Sequence, residues 1–150
     1  MDPLYFAYGS NLSRARMTAR VPSARVRGAA CLEGFRLTLD KRSVDGSGKA
    51  NLRSAVDARV HGALYELRAA HWRDLDACEP GYRRERVEVV ALGLRLEAWT
   101  YISSDLTSEP VAYEWYKRLI IDGAAEHGLP EDWRRWLERL PSKASASQQR

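Results

Sequence analysis

The chain is poor in the residues that build metal centres, redox pairs and disulfide scaffolds. Cys31 and Cys78, with His61, His71 and His127, stand far apart among 150 residues. None has a second ligand at local metal spacing, so no metal site is expected. Two cysteines also exclude a stapled scaffold, and both read as small core residues; Cys78 adjoins Glu79, whose negative charge would not favour a thiolate. Uncharged apolar runs such as Leu4 to Gly9 and Leu119 to Ile121 fall far short of the roughly 20 residues of a membrane span. The start Met1-Asp2-Pro3 carries neither a basic nor an apolar leader, so a cytoplasmic protein with no membrane partner is expected. No block of one charge sign occurs either. The net charge of +4 comes from 24 basic and 20 acidic residues, and the basic ones are interleaved with acids, as in Arg83-Arg84-Glu85-Arg86. That pattern reads as solvated faces rather than a phosphate-binding stripe, and no nucleic-acid partner is expected.

What remains is a globular composition, 45% hydrophobic and 29% charged, enough for one core. The fold is expected over 1–140, with a disordered polar tail at 141–150. Leu4 to Tyr8 reads as a buried strand cut off by Gly9-Ser10-Asn11, with a helix over Leu12 to Arg20 capped by Ser10 or Asn11 and stopped before Pro22. Val26 to Leu39 tends toward alternation, and Gly28 and Gly34 suggest bends or bulges. A glycine and serine loop follows at 43–49; its Gly-Ser-Gly-Lys lacks the spacing of a phosphate loop. Ala50 to Val56 and Val60 to Leu67 read as two strands. Arg68 to Glu79 switches to helical period, with Trp72, Leu75 and Glu79 on one face. Val87 to Leu92 and Leu94 to Ile102 make a hairpin around Gly93. Val111 to His127 is a helix with Pro110 in its first turn and Gly128 at its end, and Pro130 to Leu140 is another. Trp133 and Trp136 read as packing. The order gives an α+β class with a small, curved or closed, mainly antiparallel sheet.

Two places can hold chemistry. Tyr8-Gly9-Ser10-Asn11-Leu12 puts backbone N–H groups at a turn where an anion can be held, unless Gly9 merely permits the turn and Asn11 merely caps. Glu79 ends the apolar stripe of its helix before Pro80. It is either a half-buried carboxylate with a raised pKa, suited to acid–base work, or a surface partner of Arg83, Arg84 or Arg86.

Four ordered blocks join these features. Tyr5-Phe6-Ala7-Tyr8-Gly9-Ser10-Asn11-Leu12 resembles the opening signature of the γ-glutamylcyclotransferase-like (AIG2-like) family. Leu75-Asp76-Ala77-Cys78-Glu79 is similar to the segment carrying that family's catalytic glutamate, and Tyr82, Arg84 and Val87 match the strand after it. Tyr116, Ile120, Gly123-Ala124, His127-Gly128-Leu129-Pro130 and Trp133 resemble its closing block. The resemblance implies a small β-barrel flanked by helices, with the Gly9 turn facing Glu79 across a cavity. It also implies cyclisation of a small γ-glutamyl substrate to 5-oxoproline with release of the amine. Glu79 is then the catalytic residue, and Tyr8, Gly9, Ser10, Asn11, Leu12 and Tyr116 bind substrate. One carboxylate suffices, so no cofactor is expected. Pro80 stands where the family commonly has glycine, which points to a reshaped rim. A deprotecting cyclotransferase acting on a larger γ-glutamyl conjugate and a silent anion-binding module are the alternatives, as monomer or homodimer.

Overall fold

A computed structural model describes residues 3–144. Five strands, β1 (Leu4–Ala7), β2 (Arg25–Arg42), β3 (Gly48–Glu66), β4 (Arg83–Ala91) and β5 (Leu94–Ile102), close into a barrel in the order β1-β3-β2-β4-β5. All neighbours are antiparallel except β1 and β5, which meet in parallel at Tyr5 and Trp99. The expected helix-flanked barrel is therefore present, with α1 (Arg14–Arg20), α2 (Trp72–Ala77), α3 (Glu114–Glu126) and α4 (Glu131–Glu138) around it.

Closure follows from the long β2–β3 ribbon. Register shifts between Val26 and Gly28, Glu33 and Phe35, and Thr38 and Lys41 bend it, and each bulge sharpens the local twist. Gly28 (φ +122°) and Gly34 (φ +85°) supply backbone conformations that other residues resist. The two strands expected at 50–56 and 60–67 are one, because the backbone bends at Asp57 (φ +65°) without breaking the strand. The hairpin of β4 and β5 turns on Leu92 and Gly93, both at positive φ, as a two-residue primed turn requires.

The helices differ more from expectation. Ser10–Leu12 form a single 3-10 turn, and α1 begins only at Arg14, where the Ser13 hydroxyl caps by accepting from the Arg16 N–H at 3.3 Å. Ser10 and Asn11 are not its caps. The segment after β3 starts with another 3-10 turn, Ala69–His71, and α2 stops at Ala77, so Glu79 lies just beyond the helix. Pro110 does not open α3. Ala112–Tyr113 form a short strand, β6, paired in parallel with β7 (Ser142–Lys143). Ser142 and Lys143 are thus ordered by backbone pairing rather than disordered, while 145–150 lie outside the described residues.

The core fills the barrel and the space under α1–α3. Phe6, Leu12, Met17, Leu64, Tyr65, Leu75 and Ile120 are almost fully excluded from water, each aliphatic or aromatic side chain contributing about 1.5–3 kcal/mol by burial. Trp133 and Trp136 stack at 4.9 Å against this core, as packing residues.

Candidate active site

The site is built where α3 presses on the turn after β1. A Cβ at Gly123 would stand 2.5 Å from the Leu12 Cβ and 2.7 Å from the Ser13 nitrogen, so only glycine allows this approach. The His127 Nε2–H donates to the Leu12 carbonyl at 2.8 Å, which pins the turn from its far side. Inside the turn, the Leu12 N–H donates to the Gly9 carbonyl and the Ser13 N–H to the Ser10 carbonyl. The N–H groups of Ser10 and Asn11 have no hydrogen-bond partner among the described residues.

Glu79 faces this turn. Pro80 follows it, and the Glu79 N–H and carbonyl are both tied, to the Asp76 carbonyl at 3.0 Å and the Tyr82 N–H at 3.2 Å. The Glu79 side chain is only 13% exposed. Its Oε1 accepts from Asn11 Nδ2 at 3.2 Å and from Arg20 at 2.8 Å. Arg20 also donates to Asn11 Oδ1 at 3.1 Å, and Asn11 Nδ2 donates to the Tyr5 hydroxyl at 2.9 Å. These contacts lock Asn11 between the acid and its counter-ion. Oε2 has no hydrogen-bond partner among the described residues. Burial pushes the Glu79 pKa above the ordinary carboxylate range, against the opposing pull of Arg20, Asn11 and Arg16. The expected surface partners are engaged elsewhere: Arg83 with Glu85, Arg84 with Asp76 at 2.9 Å, and Arg86 with Glu97 at 3.8 Å.

Between the turn and Glu79 lies a recess of about 30 Å³, walled by Tyr5, Tyr8, Ala50, Tyr82, Tyr101 and Tyr116. The phenols are fixed by hydrogen bonds. Tyr8 donates to the Tyr101 carbonyl and Tyr82 to the Ala50 carbonyl, both at 2.6 Å, while Tyr101 donates to Asp76 at 2.7 Å. The Tyr116 hydroxyl accepts from the Ala50 N–H at 3.0 Å, which leaves its own proton to donate. Burial raises all of their pKa values, that of Tyr116 to about 12, so at neutral pH they are protonated donors. The recess opens into a wider cleft of about 170 Å³.

Of the residues singled out by sequence, Glu79, Tyr8, Gly9, Ser10, Asn11 and Tyr116 converge on the recess. Leu12 does not; its side chain is fully buried and its N–H is consumed within the turn. Sequence reasoning missed Arg20, the counter-ion of Glu79, together with Arg16, Tyr5, Tyr101 and the lysines of the outer cleft. The spacing of Arg16 and Arg20 on one helix face was the available signal for the two arginines. No group of three or more metal-ligating side chains occurs among the described residues, and no helix among them is long and apolar enough to cross a membrane.

Residues 5–118 match the family described as gamma-glutamyl cyclotransferase, AIG2-like. Human gamma-glutamylcyclotransferase is 28% identical over 148 residues, covering 91% of this chain and 78% of the human protein. Its bovine counterpart is 29% identical with the same coverage. A solved structure of a gamma-glutamyl cyclotransferase superposes with a TM-score of 0.89 at 25% identity, over 99% of this chain and 96% of that one. A Bacillus subtilis protein, YkqA, shares the fold with a TM-score of 0.81 at 22% identity, over 94% of this chain and 56% of that one. The chain belongs to the gamma-glutamyl cyclotransferase, AIG2-like family.

Proposed function

We propose that this family member is a γ-glutamylcyclotransferase that converts a γ-glutamyl amino acid or amide to 5-oxoproline and the free amine, with Glu79 as its acid–base group. The observation that carries the reading is the half-satisfied carboxylate of Glu79: half-buried, held at Oε1 by Asn11 and Arg20, and without a partner among the described residues at Oε2, on the wall of a recess. A carboxylate fixed through one oxygen and free at the other is poised to exchange a proton. Its raised pKa lets it release that proton as well as take it.

The chemistry is intramolecular. Glu79 takes a proton from the substrate's α-ammonium, and the freed amine attacks the γ-carbonyl carbon, forming the ring C–N bond. As the amide C–N bond breaks, that proton passes from Glu79 to the departing nitrogen, and Glu79 then takes the second surplus proton from the ring nitrogen and hands it to the released amine, which leaves as an ammonium. No external nucleophile is needed, and folding the substrate into attack geometry supplies much of the acceleration. The free N–H groups of Ser10 and Asn11 supply donors for the substrate carboxylate or the developing oxyanion, and Tyr116 a further one.

Incubating the protein with γ-glutamyl dipeptides and γ-glutamyl-lysine, beside a Glu79→Gln control, tests this directly. Release of 5-oxoproline by the wild type alone is the expected result. Absence of release from every substrate, or equal release by the variant, overturns the reading.

A further inference from the structure

The cleft outside Glu79 is cationic beyond what Glu79 neutralises. Arg16 and Arg20 from α1, Lys41 from β2 and Lys49 from β3 line it, against the single carboxylate of Glu79. Arg20 is matched by Glu79 at 2.8 Å. Lys49 reaches Asp45 only at 3.7 Å, and its ammonium sits over the rings of Tyr116 (4.3 Å) and Trp115 (4.6 Å). Those two rings fix its position on the cleft wall. Arg16 has no carboxylate within 4.0 Å among the described residues, and its Nε donates to the Ser10 hydroxyl at 3.1 Å.

Lys41 is the most telling. It is 8% exposed, yet among the described residues its ammonium makes no hydrogen bond and has no carboxylate within 4.0 Å. It lies under Gly81, where an added Cβ would stand 2.7 Å from Nζ, and 5.3 Å from the centroid of the Tyr82 ring. Its stem is packed away while the ammonium stays open to the cleft, so its N–H donors are available to an anion there. The chain has four lysines in all, and two of them line this one cleft. Once the Arg20–Glu79 and Lys49–Asp45 pairs are discounted, Arg16 and Lys41 leave two positive charges unmatched.

We propose that this cleft is a leaving-group subsite selecting an amine that carries two carboxylates, an acidic amino acid, with Lys41 and Arg16 as its specificity residues. The proposal rests on the cyclotransferase reading. Ring closure occupies the narrow recess, so the departing nitrogen lies toward the wider cleft, with which the recess shares Ser10, Glu79, Tyr82 and Tyr116. The α-carboxylate of an amino acid leaving group meets one unmatched cation, and a side-chain carboxylate meets the other. A cationic or neutral amine meets neither, and the surplus positive charge repels a cationic one.

The test compares kcat/KM for γ-glutamyl-glutamate, γ-glutamyl-glutamine and γ-glutamyl-glutamine α-amide, which carry two, one and no negative charges on leaving groups of nearly one size. Each charge removed lowers kcat/KM by about tenfold, the scale of a charge-assisted hydrogen bond. Of Lys41→Met and Arg16→Met, checked by thermal melting for intact folding, one brings the glutamate-to-glutamine ratio and the other the glutamine-to-amide ratio down to within about twofold of one, as loss of that bond requires. Comparable turnover of the three substrates by the wild type, or either ratio surviving in both folded variants, overturns the subsite and leaves the cyclotransferase reading standing. Absence of 5-oxoproline from all three overturns that reading, and the subsite with it.

Discussion

Two carboxylates lie in the wall of this molecule with little access to water, and they behave in opposite ways. Asp40, on β2, has both oxygens engaged: Oδ1 accepts from Thr38 at 2.7 Å and Asn51 at 3.2 Å, and Oδ2 from Arg53 at 2.9 Å. Asn51 in turn donates to the Ser103 carbonyl and accepts from the Ser103 N–H, so Asp40 fastens β2 and β3 to the segment after β5. Burial pushes its pKa up, but those hydrogen bonds outweigh burial and the net shift is downward. Glu79 has a comparable setting and an arginine of its own, yet only one oxygen is engaged and its net shift is upward. Burial alone does not make a base. Burial with fewer hydrogen bonds to the charged form does, because desolvation then outweighs them.

The largest effect that sharpens this contrast is on rate. Glu79→Gln is expected to lower kcat/KM by roughly 10²–10⁴-fold, the range of a lost general acid–base group, while the melting temperature at neutral pH does not fall. A variant that melts early but turns over normally would make Glu79 a fastener like Asp40 and break the comparison. Next comes Gly9→Ala. The added Cβ would stand 2.8 Å from the Ala50 Cβ, on a strand that cannot yield, and 3.6 Å from the Tyr116 hydroxyl. The turn must shift, carrying Asn11 away from Glu79, and a displacement of that kind costs up to about 10²-fold in rate. Steady-state assays of 5-oxoproline release measure both.

Asp40→Asn has the complementary signature. Removing the charge that Arg53 and Asn51 converge on is expected to cost about 1–3 kcal/mol of stability, about 2–4 °C of melting temperature per kcal/mol in a chain of this size. The turnover of the folded fraction stays closer to wild type than that of Glu79→Gln. Chemical denaturation with parallel assays separates the two quantities.

The sequence made one half of the site legible and hid the other. Tyr8-Gly9-Ser10-Asn11 and Glu79 stand in short linear patterns, and glycine between aromatics or a carboxylate ending an apolar stripe is visible without a structure. Gly93 between the runs Val87 to Leu92 and Leu94 to Ile102 likewise disclosed the β4–β5 hairpin. The spacing of Arg16 and Arg20 marks a helix face, but the meeting of Arg20 with Glu79 was not legible: it spans 59 positions, and in a chain with 24 basic residues no single one stands out. Lys41 was hidden for the same reason, since only closure of the barrel brings it beside Tyr82. The strand pairing of Ser142–Lys143 with Ala112–Tyr113 involves two residues on each side, too few to show a period. β3 was read as two strands because Asp57 interrupts the alternation, although a bulged strand runs through it.

The smallest effect, and the one that tests the physical cause of the contrast, is the pH dependence of stability. The folded pKa of Glu79 is raised, so the folded state holds that proton more tightly than the unfolded chain does. The stability this contributes is complete below the unfolded value of about 4.3 and is lost as pH rises through the folded value. Asp40 has the opposite sign: its contribution is complete above the unfolded value of about 3.9 and is lost as pH falls through its lowered folded value. Melting curves of wild type, Glu79→Gln and Asp40→Asn across acid to neutral pH should therefore diverge in opposite senses. Glu79→Gln gains on the wild type as pH rises above about 4.3, whereas the deficit of Asp40→Asn shrinks as pH drops below about 3.9. The acid limb of kcat/KM should fall in the same window as the first divergence, above 4.3, because one group is responsible for both. If the Glu79→Gln difference were flat across that window, burial would not raise the Glu79 pKa, and the contrast with Asp40 would lose its cause.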